Sequence, residues 1–150
     1  MLRDVLSGLA DVLRGTVGAE LADADIDIQI EPRLVTSPSA PLCIDIYQAD
    51  LARSSAAAAM GDISGQYVLT VRARANPNDG DELQDILIDM LDDFHDLSIG
   101  AALESEPLLD GYATDVSVDP DGFSGMLAFP GVPNDMVGCT WRVFVGVAFS

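Results

Sequence analysis

Residues 66–97, QYVLTVRARANPNDGDELQDILIDMLDDFHDL, change hydrophobic period partway along, and that change decides the fold class. Over 66–75 the period is two. Tyr67, Leu69, Val71 and Ala73 share one face; Val68, Thr70, Arg72 and Arg74 share the other. This is a strand. NPNDG then punctuates the chain, and Asp79 with Glu82 three residues later has the spacing of a capping box. Over 81–97 the period becomes helical. Leu83, Ile86, Leu87, Met90, Leu91, Phe94 and Leu97 form the expected buried stripe. The opposite side carries Asp85, Asp89, Asp92, Asp93 and Asp96, so acids crowd the negative end of the helix dipole.

Outward from this unit the pattern continues in blocks. Leu2, Val5, Leu6, Leu9, Val12 and Leu13 predict a helix over 2–14, ended by Gly15 and Gly18. DIDIQIE at 25–31 alternates strictly and predicts a half-buried strand. Residues 32–41 hold three prolines and read as a connection. LCIDIYQ at 42–48 predicts another strand. Residues 50–64 contain RSSAAAAMGDIS and lack an apolar stripe, so they read as a mobile excursion between two paired strands.

Downstream, Ser98 is placed to cap a short helix over 99–103, and 104–111 turn the chain. Strands are expected at 112–118, 123–129 and 137–149. DPDG at 119–122 is a tight hairpin signal, and GVPND at 131–135 a looser one. The order is α-β-β-β-α-α-β-β-β. It predicts one α+β domain over 1–150: a mixed, mostly antiparallel sheet with two to three helices packed on one face.

Composition narrows the function classes. The 150 residues are 49% apolar, which excludes a disordered chain and supports a full core. No apolar run is long enough for a spanning helix. Asp4 and Asp11 interrupt the N-terminal apolar pattern, so it does not read as a signal peptide. The net charge is −18, from 25 acids and 7 bases, every base being Arg. That balance opposes binding to nucleic acid and to anionic membranes, both of which need clustered cations. It suits a surface that lets DNA pass without sticking, a high-salt cell, or a GC-rich genome. Cys43 and Cys139 sit alone in apolar strand patterns and read as buried free thiols.

Motifs for chemistry are sparse. His95 is the single histidine. Asp92, His95 and Asp96 have the spacing of one helix face, which reads as solvated acid surface before it reads as a metal site. NPNDGDE misses the calcium-loop template, and no phosphate-binding glycine loop or nucleophile elbow occurs. The expectation is a protein that is not an enzyme and holds no cofactor or metal.

Residues 81–149 resemble the tail terminator proteins of long-tailed, lambda-like phages and related tailed viruses. The resemblance lies in an order of features: the helix LQDILIDMLDD, then SIGAAL, then LLDG with Gly111, the strand DVSV, a variable hairpin and the Trp-containing strand WRVFVGV. The opening helix and the long YVLTVRARA strand also fit. Such a resemblance implies a virion structural protein, assembled in the host cytoplasm, that forms a homo-hexameric ring at the head–tail junction. The ring caps the tail tube, ends its growth, and meets the head-side connector or stopper protein. DNA crosses the lumen without sequence-specific binding, and no membrane is involved.

On this reading the candidate subunit or tube contacts are Asp50, Arg53, Met60 and Asp62 in the excursion, Arg72 and Arg74 on the strand, and Asp92 and Asp96 on the acidic helix side. Arg72 and Arg74 are candidates to pair with that acidic side of an adjacent subunit, or within their own chain. Two other classes stay open: another connector or tail tube component, and a cellular acidic interaction domain from a salt-adapted organism.

Overall fold

The computed structural model describes residues 1–48, 64–130 and 135–148. The first helix, α1 (Leu2–Gly15), buries Val5, Leu9, Ala10 and Leu13, which its apolar spacing anticipates. Gly15 and Gly18 do not end the helical region. The axis only breaks at Thr16, whose hydroxyl donates to Val12 O at 2.7 Å, and α2 follows (Val17–Asp23). Gly18 is a point of close packing, since a Cβ there would lie 3.2 Å from Ile30 Cδ1.

Strand β1 (Ile28–Glu31) starts later than the alternation suggests. Asp25 adopts φ 59 and Ile26 N donates back to Leu21 O at 2.9 Å, so 24–26 belong to the turn leaving α2. β2 (Leu42–Tyr47) runs parallel to β1, and β3 (Ser64–Ala75) antiparallel to β2. A one-turn 3-10 helix (Pro77–Asp79) leads into α3 (Asp81–Leu91). The N-cap position falls on Gly80, at φ 109, one residue later than the capping-box spacing places it. Asn76 accepts from Asn78 N at 3.0 Å.

Ser98 caps α4 (Ile99–Glu104), accepting from Ala101 N at 3.1 Å, as its position predicts. The chain then forms β4 (Asp115–Phe123), β5 (Leu127–Phe129) and β6 (Met136–Ala148). DPDG does not make a hairpin. Val118 pairs with Val143 and Phe123 with Trp141, so five steps on β4 match two on β6 and DPDG is a wide bulge. β4 and β5 therefore lie end to end along one side of β6.

The architecture is α+β, with one mixed six-stranded sheet in the order β1-β2-β3-β6-β4 and β5 also on β6. The β3–β6 ladder is its spine, running from Ser64↔Ala148 to Ala75↔Val137. Leu42, Ile44, Leu69, Val71, Ala73, Cys139, Trp141, Val143 and Val145 turn to the same side. There they meet Val5, Leu9 and Leu13 of α1, Leu87 and Met90 of α3, and Leu103 of α4 in one core. Each fully buried aliphatic chain of this set contributes roughly 1.5–3 kcal/mol. Among the described residues β1 pairs only with β2, and β4 and β5 only with β6. Among the described residues the sheet thus ends at β1 on one side and at β4 and β5 on the other; Ile30 O in β1 accepts from Arg14 Nη2 at 2.6 Å.

Candidate functional site

Two regions combine charge with unusual burial or exposure. The first is on the sheet face opposite the helices. Asp45 lies between Ile44 and Ile46 in β2, so when those two enter the core its carboxylate points to the other face. Arg72 is its direct cross-strand partner in β3, and Arg74 lies two residues on. Arg72 Nε donates to Asp45 Oδ1 at 3.0 Å and Nη2 to Oδ2 at 2.6 Å. Arg74 Nη2 lies 3.4 Å from the same Oδ2. The 32–41 connection closes over this group: Val35 N donates to Asp45 Oδ2 at 2.9 Å, and Val35 O accepts from Arg74 Nη2 at 2.6 Å.

Asp45 is 0% exposed, Arg74 2% and Arg72 13%. The Arg72 guanidinium also sits 5.3 Å from the Tyr47 ring centre and 5.6 Å from that of Phe129. Burial by itself lowers the Arg72 pKa, but the hydrogen bond and the charge of Asp45 outweigh it and push it up. Among the described residues, Arg74 Nε is the buried side-chain polar atom left without a hydrogen bond. The group is a clamp fastening the β1–β2 connection to the sheet. Of the two pairings the sequence left open for Arg72 and Arg74, the structure has the one within their own chain. Burial accounts for it: an unpaired guanidinium on this face would be costly.

The second region is the end of α3. The helix stops at Leu91, not Leu97. Asp92 turns to φ −84, ψ 112, and its Oδ1 accepts from Phe94 N at 3.0 Å. His95 Nδ1 accepts from Leu97 N at 3.0 Å, while its Nε2 lies 3.6 Å from Asp89 Oδ2. Asp92 and His95 offer the backbone side-chain partners that compete with helix propagation. Asp92 and Asp96 are consequently exposed and lie past the helix end, not along its face. The Asp92, His95, Asp96 spacing loses its helical meaning. Among the described residues no group of three or more His, Cys, Asp or Glu is placed to hold a metal ion.

Phe94 leaves the predicted apolar stripe altogether and is 99% exposed. The residue before it, Asp93, lines a cleft of about 460 Å³ between α3, α4 and the β4 bulge. Leu91, Val118 and Trp141 line it with apolar surface, and Asp93, Glu104 and Asp119 bring carboxylates. Glu104 Oε1 accepts from Val118 N at 2.8 Å, which ties α4 to β4. Asp119 Oδ2 lies 3.5 Å from Arg142 Nη1.

Of the other sequence candidates, Asp50, Arg53, Met60 and Asp62 lie outside the described residues, as does the expected excursion through residue 63. Asp45 and Phe94 escape periodicity arguments for different reasons. The signal for Asp45 was present: one acid inside an apolar strand, with two arginines in the strand paired to it. Nothing in a helical stripe marks Phe94 as the residue that leaves it. The cysteines are free and buried on opposite faces, Cys139 in the core and Cys43 beside the clamp. Burial, and for Cys43 also the Asp45 charge, pushes the thiols up to about 11 at Cys43 and about 12 at Cys139. The sequence matches no protein-family model and no curated protein.

Proposed function

We propose that the chain is a structural subunit of a closed ring that caps a viral tail tube, in the manner of tail terminator proteins. In this role a homo-hexamer ends tube growth, meets the tube on one side and the head-side connector on the other, and lets DNA through its lumen. The observation that carries the reading is the sheet itself. Its helices sit on one face, and among the described residues β1 and the β4–β5 line are the edge strands at its two sides. Edges of this kind are satisfied by another chain, and two different edges on one subunit suit a head-to-tail contact that closes into a ring. The charge supports the same role, because a subunit at −18 gives a lumen that repels DNA.

Native mass spectrometry with negative-stain imaging, across salt and protein concentration, tests the proposal. Closed six-fold rings with a central hole are expected, more abundant as salt screens the like-charged subunits. Open tubes would replace the terminator by a tube subunit. A monomer under every condition, including in the presence of purified tail tubes, would overturn the reading.

A further inference from the structure

We infer that the cleft lined by Asp93, together with its chain neighbour Phe94, is a docking site for a basic segment of a different protein, one that alternates cationic and apolar side chains. The inference is independent of the ring proposal. It starts from Phe94, which is 99% exposed while the loop around it is fastened at both ends. An aromatic ring held out in this way is an anchor awaiting a partner surface, since its apolar area is left wholly in water. The cleft lined by the preceding residue, Asp93, supplies the complementary half. Its floor includes Trp141, 5% exposed, with Leu91 and Val118. Its available carboxylates are Asp93 and Glu104; Asp119 also lines it but is paired with Arg142. An Arg or Lys side chain fits this division: its aliphatic stem packs on the indole and its head reaches the carboxylates.

Charge also says whose side chain it is. Of the seven bases in the chain, Arg72 and Arg74 are clamped on Asp45. Arg14 and Arg142 are in ion pairs with Asp11 and Asp119, and Arg53 lies outside the described residues. A second copy at −18 therefore brings, among the described residues, two arginines outside these pairs, Arg3 and Arg33, against a strongly acidic background. A basic partner protein meets the cleft without that repulsion.

Trp141 is the single tryptophan, so the floor of the cleft reports its own occupation. The probe is a synthetic peptide alternating Arg and Leu, titrated into the full chain at moderate salt, with a peptide alternating Arg and Ser as comparison. Saturable change in Trp141 emission is expected with the Arg–Leu peptide, and binding weaker by about tenfold or more with the Arg–Ser peptide. Phe94→Ala should weaken Arg–Leu binding by about tenfold, and so should Asp93→Asn with Glu104→Gln, the latter keeping an acceptor for Val118 N. Asp81→Asn with Glu82→Gln, at the far end of α3, should change it by less than about twofold.

Equal weakening by the two charge-removing pairs would reduce the effect to general attraction and overturn the inference. Unchanged Trp141 emission would overturn it too. So would self-association of the chain, seen by sedimentation without peptide and lost in Phe94→Ala, because the occupant would then be a second copy.

Discussion

Replacing Asp45 by Asn tests the clamp directly. The side chain keeps its size and one oxygen, but loses its charge where two guanidiniums, 13% and 2% exposed, converge on it. Taking one partner from a buried ion pair leaves the other charge desolvated and unpaired, at a cost of about 3–5 kcal/mol. Here two cations are stranded by one change, and the Val35 N–H loses its charged acceptor. The expected loss is therefore at the upper part of that range. Against a total stability of about 5–15 kcal/mol, that is a large fraction, corresponding to a fall in Tm on the order of 10 °C.

Urea unfolding followed by Trp141 emission and by circular dichroism measures the loss. Adding 1 M salt should leave the difference between Asp45→Asn and the parent nearly unchanged, because screening acts on exposed charges. A companion variant converting Asp45, Arg72 and Arg74 together to apolar residues of similar volume should recover most of the loss. A cost below about 1 kcal/mol for Asp45→Asn would match an exposed pair and refute the description of a buried clamp.

Three further outcomes follow from burial and packing. Both cysteines titrate above the ordinary 9.0 in the folded chain, so stability is full below pH 9; above it the unfolded chain releases protons that the folded chain keeps. Stability should then fall by about 1.4 kcal/mol per pH unit per thiol up to about pH 11, and Cys43→Ala with Cys139→Ala should flatten that limb of a pH-dependent urea series. Gly138→Ala should cost about 1–3 kcal/mol in the same assay, because its Cβ would press on Ala73 O and lie 3.0 Å from Arg74 Cα, the backbone of the central β3 strand. Phe94→Ala should leave stability within about 0.5 kcal/mol of the parent, since the ring is exposed. A loss of several kcal/mol would return Phe94 to the core stripe.

Periodicity was informative wherever one face of an element decides its packing. The sheet-facing sides of β3 and β6 and the stripe of α3 through Leu91 follow it residue by residue, because core contacts reward the same period that the sequence displays. It failed where a local side-chain interaction competes with the element. Asp92 ended α3 early by capturing the Phe94 amide, and a stripe that seemed continuous lost its aromatic end to solvent. It failed again at DPDG, whose turn chemistry is real but is absorbed as a bulge because β4 and β5 both find their partner in β6. α2 was hidden for a simpler reason: its seven residues bury only Val17 and Leu21.

The two arginines show most clearly why a sequence pattern underdetermines a site. On a strand face, with acids abundant elsewhere, Arg72 and Arg74 are open to pairing with a neighbour or within their own chain. Asp45 removes them from the surface, and with them two of the seven cations the acidic helix α3 could find in another copy. If like subunits join, ion pairs are therefore a poor source of affinity, and the backbone groups along β1 and along β4–β5 are the better one. Those bonds are directional and indifferent to net charge, whereas the −18 per chain acts only as a repulsion that salt reduces. On the two proposals the division of labour is then by chemistry: the acidic cleft lined by Asp93 would take a cationic partner, and the sheet edges would take the chain's own kind.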